Sequence, residues 1–564
     1  MKTIKTLALA ALAALALLTS CKKEEVCTVY YNANVYTADA ALPEASAFVV
    51  KGDKIAFVGS DEDALALASE KAAKVDLEGK RVLPGMCDTH CHYFAMSLAG
   101  SGKPSLHLEE KESHEQTLAR IREFVEANPD IPVIQGNGWG WNCNILASEL
   151  DKIESSRPVL LMACDGHTGW CNSALMKSLG VDKNFKDIAP GASYFERDAE
   201  GNPNGRIVET AQCYWTAQAL GARDENDVKT GMPKVAALYN SLGVTSIYDA
   251  GPLMVADSVA LKAAQMVPDN TLRIFASIYY NGTETDEDFI ARAKMLRERY
   301  TTDLVRPNTF KAFKDGTIEV ATAYMSEGRQ FTNPPYRRAG RGICLFPTEQ
   351  LLRITQKVAA EGFNIHIHAI GDQAIDEVLD VMEGLGDIQG TKTIAHCQVL
   401  NEKTLPKFTA NKDVFYQTTP VWLAQDPNFI KSFGPEVFKK YDMPVKSILD
   451  GGVTLTFGSD GPASKGDYGM NPMNNIWACV NQGKDPSLND RPEQCLTVAQ
   501  CVDAYTINAA RQFGAESEIG SITAGKGADF VVLDRDIFTI DTAEIKDAKV
   551  EQTYLLGKCV YSRK

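Results

Sequence analysis

The chain has 564 residues, of which 45% are hydrophobic and 23% charged, and 58 basic against 73 acidic side chains leave a formal net charge of −15. This is the composition of a globular protein and excludes collagen-like, coiled-coil and disordered chains. The anionic balance argues against a nucleic-acid binder, which needs a basic stripe to neutralise phosphates.

Residues 1–20 read as a leader outside the fold. Lys2 and Lys5 precede an unbroken apolar run from Leu7 to Leu18. That run is too short to span a bilayer, which takes roughly 18 or more apolar residues, but it suits the core of a secretory signal. Leu18-Thr19-Ser20-Cys21 resembles the bacterial lipobox and implies lipidation of Cys21. The expectation is an exported protein of the cell envelope, held to the membrane by a lipid anchor only, with the leaflet left open.

From residue 28 to 84, short β-type runs alternate with turns such as Lys51-Gly52-Asp53-Lys54, and the stretch after Ala528 looks alike. The spacing predicts hairpin-built sheets, and two β segments at opposite chain ends can form one small β-sandwich domain. Its predicted extent is 21–82 and 518–564. Between them, apolar β-branched runs recur at 81–88, 244–249, 272–278, 309–313, 364–368, 391–396, 414–417 and 453–459, with helical stretches in the gaps. Eight parallel strands joined by crossover helices predict an α/β fold, a TIM-like (β/α)8 barrel, over 83–517. The gap after the first strand is too long for one crossover, so an inserted subdomain is expected at about 94–240. Its own strand-like runs lie at 132–136 and 158–164.

The chain's 14 cysteines contain no C-x-x-C pair, and they predict no disulfide framework in a chain this long. Histidines are more informative, because only eight occur. His90 and His92 flank Cys91 near the end of the first predicted strand, where residues i and i+2 share a face and can grip one ion. Cys91 then faces away, as a packed thiol. His366 and His368 end the fifth strand and His396 the sixth, while Asp460 follows the eighth. Barrel enzymes build their sites from the C-terminal ends of several strands, and imidazole with carboxylate suits Zn²⁺. His107 and His114 carry no motif and read as surface residues.

The order of H-x-H on the first strand, Lys on the fourth, His on the fifth and sixth and Asp on the eighth resembles the amidohydrolase superfamily. Within it, the chain is similar to the amidohydrolase 3 branch that contains N-substituted formamide deformylases, from about residue 28 to 564. The motifs that carry the resemblance are Pro84-Gly85 through His92, Asp165-Gly166-His167-Thr168-Gly169-Trp170-Cys171-Asn172, Gly205-Arg206-Ile207-Val208-Glu209, Lys311-Ala312-Phe313-Lys314-Asp315-Gly316, His368-Ala369-Ile370-Gly371-Asp372 and Gly458-Ser459-Asp460.

The resemblance implies one or two divalent ions, zinc first among them. His90 and His92 would hold the more buried ion, His368 and His396 the more exposed one, and a carboxylated Lys311 would bridge them. Asp460 would contact the buried ion and handle protons. Lys314 is the rival lysine, three positions on and so directed to the opposite face. His366 rivals His368 and is assigned to packing or support, because Ala-Ile-Gly-Asp follows His368. His167 is implied as a catalytic and substrate-binding imidazole that steadies a developing oxyanion.

Trp139, Trp141 and Trp170 are assigned to substrate binding, with core packing of the insertion weighed equally for Trp139 and Trp141. The function implied is metal-dependent hydrolysis of a non-peptide C–N bond, of amide or formamide type, in a small-molecule substrate. Rival expectations are a cyclic-amide hydrolase or mononuclear deaminase, a metal-dependent isomerase on the same scaffold, and a non-catalytic ligand-binding lipoprotein. Whether the chain forms a homo-oligomer is open.

Overall fold

A computed structural model describes residues 27–140, 143–164, 166–331, 340–424, 427–463 and 466–564. The leader with Cys21, and also Trp141, lie outside the described residues. Among those residues no helix is long and apolar enough to cross a membrane.

Eight strands form one parallel sheet in chain order: β1 (Met86–Cys91), β2 (Val244–Asp249), β3 (Arg273–Tyr279), β4 (Val305–Phe313), β5 (Asn364–Ala369), β6 (Lys392–His396), β7 (Val414–Thr418) and β8 (Leu455–Phe457). Each pairs in parallel with the next. The seam between β8 and β1 is held just beyond β8, where Asp460 N donates to the His90 carbonyl at 2.7 Å and His92 N to that of Gly461 at 2.8 Å. This is the TIM-like α/β barrel that the spacing predicted.

Strand alternation explains how the barrel carries polar residues inside. On β5, Ile365 and Ile367 belong to the main apolar core, while His366 and His368 take the alternate positions. The helix that follows, Asp372–Leu385, buries Ile375, Val378, Leu379 and Met382, a helical stripe, and ends at Gly386 with φ +58°.

One predicted strand is corrected. Residues 81–88 do not form a single barrel strand: Arg81–Pro84 belongs to the end sheets, antiparallel to Phe530–Leu533, and β1 begins only at Met86. The break falls at Gly85, where a Cβ would lie 2.3 Å from Thr245 Oγ1. Only glycine lets the chain turn from one sheet to the other so close to β2.

The two chain ends supply a four-stranded and a six-stranded sheet, the latter mixing Asn34–Tyr36 and Arg81–Pro84 with Phe530–Leu533, Val550–Leu555 and Lys558–Ser562. Tyr30, Phe48, Val82, Phe530 and Tyr554 share the apolar core of this sandwich. A third sheet of six strands is inserted between β1 and β2, with Ile134–Trp139, Val159–Ala163, Thr168–Cys171 and Pro203–Val208 as neighbours. All thirteen cysteines among the described residues are free thiols.

Candidate metal centre

The polar cluster stands where the C-terminal ends of β1, β4, β5, β6 and β8 meet. His90 lies within β1 and His92 just after it. Ligand atoms of His90, His396 and Asp460 all fall within 4.8 Å of one another. Asp460 Oδ1 is 3.6 Å from His90 Nε2 and 3.5 Å from His92 Nε2. Lys311 Nζ, from β4, is 3.3 Å from His90 Nε2 and stands over the Phe313 ring at 4.4 Å. Five of the six metal-binding residues named from the sequence therefore converge.

Neighbouring groups fix which nitrogens face the centre. The His92 Nδ1 lies 3.0 Å from the Gly251 carbonyl, to which it donates, and so Nε2 turns to Asp460. His90 Nδ1 is 2.9 Å from His366 Nε2, so its Nε2 faces Lys311 and Asp460. His366 also stacks on Tyr248 at 4.4 Å and touches the cluster through His90. Asp88 ties the two halves of the seam: its carboxylate accepts from His90 N, from Ser459 N and Oγ, and from Tyr239 Oη.

His396 and Asp460 carry φ of +71° and +49°. Non-glycine residues hold such strained backbone only where the surroundings over-determine it, commonly at functional sites. Gln417 Oε1, accepting from His396 N at 3.2 Å, is one such restraint. The Trp422 indole lies parallel to the His396 ring at 5.4 Å.

Burial is the main electrostatic influence here. It lowers the pKa of His90, His366, His368 and His396 well below the ordinary histidine value, with Lys311 and neighbouring imidazoles adding to the effect. Burial also pulls Lys311 down to about 7, although Asp460 and Asp249 oppose it. It pushes Asp88 and Asp249 up to about 6 and Asp315 to about 7. At His90 and His396 the cluster thus offers neutral imidazoles, and Asp460 adds a carboxyl, a donor set that suits zinc. Buried His396 Nδ1 has no hydrogen-bond partner among the described residues. A buried polar nitrogen left bare calls for a partner, and a divalent cation held with His90 and Asp460 fits it.

His368 sits differently. Its ring is 4.6 Å from that of His396, but Nε2 faces the Gly316 carbonyl at 3.2 Å and Asp315 Oδ1 at 3.4 Å, outside the three-residue group. Lys314, the rejected lysine, points away to an ion pair with Glu377 and donates to the Phe346 carbonyl. Cys91 likewise faces outward, toward the Tyr248 carbonyl.

His167 reaches the rim from the inserted sheet, with its ring 5.9 Å from His368 and Nδ1 2.8 Å from Glu209 Oε2. Glu209 had no role in the sequence reading beyond its place in a motif. The assignment of Trp139 and Trp170 to substrate binding is corrected. The two indoles are buried and stacked at 3.7 Å and 9° inside the insertion's own core. The glycine-rich segment Gly136–Gly140 turns that ring inward because its backbone passes tightly against Leu106, Leu108 and Glu110.

Comparison with known proteins agrees with this layout. A model of the amidohydrolase family matches residues 73–561. The chain belongs to that family. Within its third branch, this amidohydrolase is 27% identical over 570 residues to N-substituted formamide deformylase of Arthrobacter pascens, covering 94% of this chain and 98% of the relative. It is 32% identical over 413 residues to exoenzymes regulatory protein AepA of Pectobacterium carotovorum, covering 70% and 85%. An uncharacterized metal-dependent hydrolase from Pyrococcus horikoshii superposes with a TM-score of 0.70 at 22% identity, over 92% of this chain and 99% of that one. The amidohydrolase is thus a hydrolase acting on C–N bonds other than peptide bonds.

Proposed function

We propose that this amidohydrolase cleaves an amide or formamide C–N bond in a small molecule, with His90, His92, Asp460 and His396 holding zinc at the barrel rim. The convergence of these side chains at one rim carries the reading. The similarity to a formamide deformylase over nearly the whole chain supports the substrate class. A divalent ion bound there would supply Lewis acidity and would lower the pKa of water from about 15.7 to roughly 7.

The chain's own groups do the rest. Asp460 takes the proton of the attacking water and returns it to the departing nitrogen, one carboxylate serving both halves. His167 stands by the substrate oxygen. Lys311, its pKa drawn down to about 7 by burial, is about half free amine at pH 7, and that amine can add to CO₂ with loss of a proton. A carbamate there would present two anionic oxygens, and with His368 and His396 it would hold a second ion.

A one-ion site is the second reading, favoured by His368 Nε2 facing the Gly316 carbonyl. Zinc counting with and without bicarbonate separates the two, at two ions or one per chain. A panel of N-formyl, N-acyl and cyclic amides tests the activity. Wild type is expected to turn over at least one of them, and Asp460→Asn is expected to retain folded protein with turnover reduced at least 100-fold, in the range of a lost general base. Full turnover by that variant refutes the assignment. Export and lipid anchoring through Cys21 rest on the leader alone; incorporation of labelled palmitate that persists in Cys21→Ser refutes them.

A further inference from the structure

The inserted sheet touches the barrel rim through a buried pair. His167 immediately precedes Thr168–Cys171 and Glu209 immediately follows Pro203–Val208, and these strands are antiparallel neighbours with Thr168 opposite Val208. Pairing thus brings the two side chains together at one end of the sheet, with Nδ1 and Oε2 2.8 Å apart. Glu209 is 0% exposed and His167 6%. Burying a carboxylate so completely is expensive unless it is paired.

Glu209 also holds φ +68° while its carboxylate accepts from Thr210 N, at the start of the helix Thr210–Leu220. A positive φ at a non-glycine residue is strained and persists where it serves a fixed geometry. The barrel side is shaped to the same carboxylate. At Gly316, just past β4, a Cβ would sit 2.4 Å from Glu209 Oε1 and 2.1 Å from Thr322 Oγ1. The Gly316 carbonyl in turn faces His368 Nε2. One glycine therefore lets the loop after β4 touch both the Glu209 carboxylate and an imidazole of the rim.

We propose that Glu209 is a positioning residue that holds His167 as the Nδ1–H tautomer, so that Nε2 is the atom that meets the substrate. The proposal rests on the hydrolase reading of the same site. A carboxylate only accepts, so Nδ1 must donate. A neutral His167 then carries its lone pair on Nε2, and an N–H exists there only when the ring is doubly protonated. A neutral ring therefore cannot donate to a developing oxyanion, whereas the imidazolium can, with the Glu209 carboxylate stabilising its charge. The contact makes and breaks no bond. The inserted unit thereby becomes part of the machinery rather than an ornament on the barrel.

The test uses the full zinc-loaded chain with ¹⁵N-labelled histidine, His167→Gln assigning the signal. Wild type is expected to show Nδ1–H at His167. Glu209→Met, which removes the acceptor, is expected to lose that signal. Its kcat is expected to fall at least 100-fold with KM changed less than about threefold, since a lost orienting carboxylate can cost up to about 10⁴-fold. Glu209→Asp is expected to restore part of the rate. Zinc content and melting temperature exclude loss of the fold, and where the Met variant fails to fold, Glu209→Ala, which likewise removes the acceptor, gives the same kcat test. A variant of either kind with kcat within about threefold of wild type overturns the proposal, as does an unchanged Nδ1–H signal in Glu209→Met. Absence of amide turnover in wild type refutes the hydrolase reading instead, while the tautomer measurement still decides Glu209.

Discussion

Replacing Asp88 by Asn should stabilise the metal-free protein above neutral pH and leave it nearly unchanged at pH 4. The Asp88 carboxyl is buried, and its oxygens divide the work. Oδ1 accepts two backbone amides, His90 N and Ser459 N, whereas Oδ2 faces two hydroxyls, Ser459 Oγ and Tyr239 Oη. Asn keeps an oxygen for the amides and offers an NH₂ to hydroxyls that can turn and accept, the same pattern as a protonated Asp.

Burial raises the folded pKa from 3.8 to about 6. A carboxyl whose folded pKa lies above its unfolded one contributes stability that is fully present below 3.8 and is lost as pH rises through about 6. At roughly 1.36 kcal/mol per unit, a little over two units amounts to about 3 kcal/mol of ionisation penalty at pH 7, which Asn removes. Urea unfolding of metal-stripped wild type and Asp88→Asn from pH 4 to 8 measures the difference. A difference in stability that does not change with pH refutes the reasoning.

Gly316→Ala should lower stability by about 1–3 kcal/mol, the cost of overpacking, because its Cβ meets Thr322 Oγ1 and Glu209 Oε1; calorimetry and kcat together check it. Trp139→Ala should remove about 3–5 kcal/mol by opening a cavity in the insertion's core, with zinc content unchanged, since the stacked pair lies in a separate apolar cluster from the barrel. Hydrogen exchange confined to residues 106–208 supports this, and loss of zinc contradicts it. Lys311→Gln keeps a side chain of similar reach but forms no carbamate, so the bicarbonate dependence of zinc content and rate should vanish. A surviving bicarbonate effect sinks the role given to Lys311.

Much of the barrel was legible in the linear chain. A strand pattern of apolar runs at regular spacing is local information, and eight of them with helical gaps leave few alternatives to a closed parallel sheet. The positions of His90, His92, Lys311, His396 and Asp460 at strand ends were legible for the same reason: period-two alternation and strand termini assign faces without coordinates. His366 and His368 share a face, so alternation alone does not separate them, and their roles follow from what each ring touches.

What the chain determined by itself was therefore its element order, the rim on which the polar residues gather and the family it belongs to. Tertiary structure decided the rest, because those features depend on close approach between segments far apart in sequence. The position where one sheet ends and the next begins is glycine because Thr245 leaves no room for a Cβ there. Trp139 and Trp170 stack inward because two paired strands bring them together, which no local pattern distinguishes from a pocket wall. Glu209 meets His167 across 42 residues, and the directed imidazole exists only once that strand pairing is made.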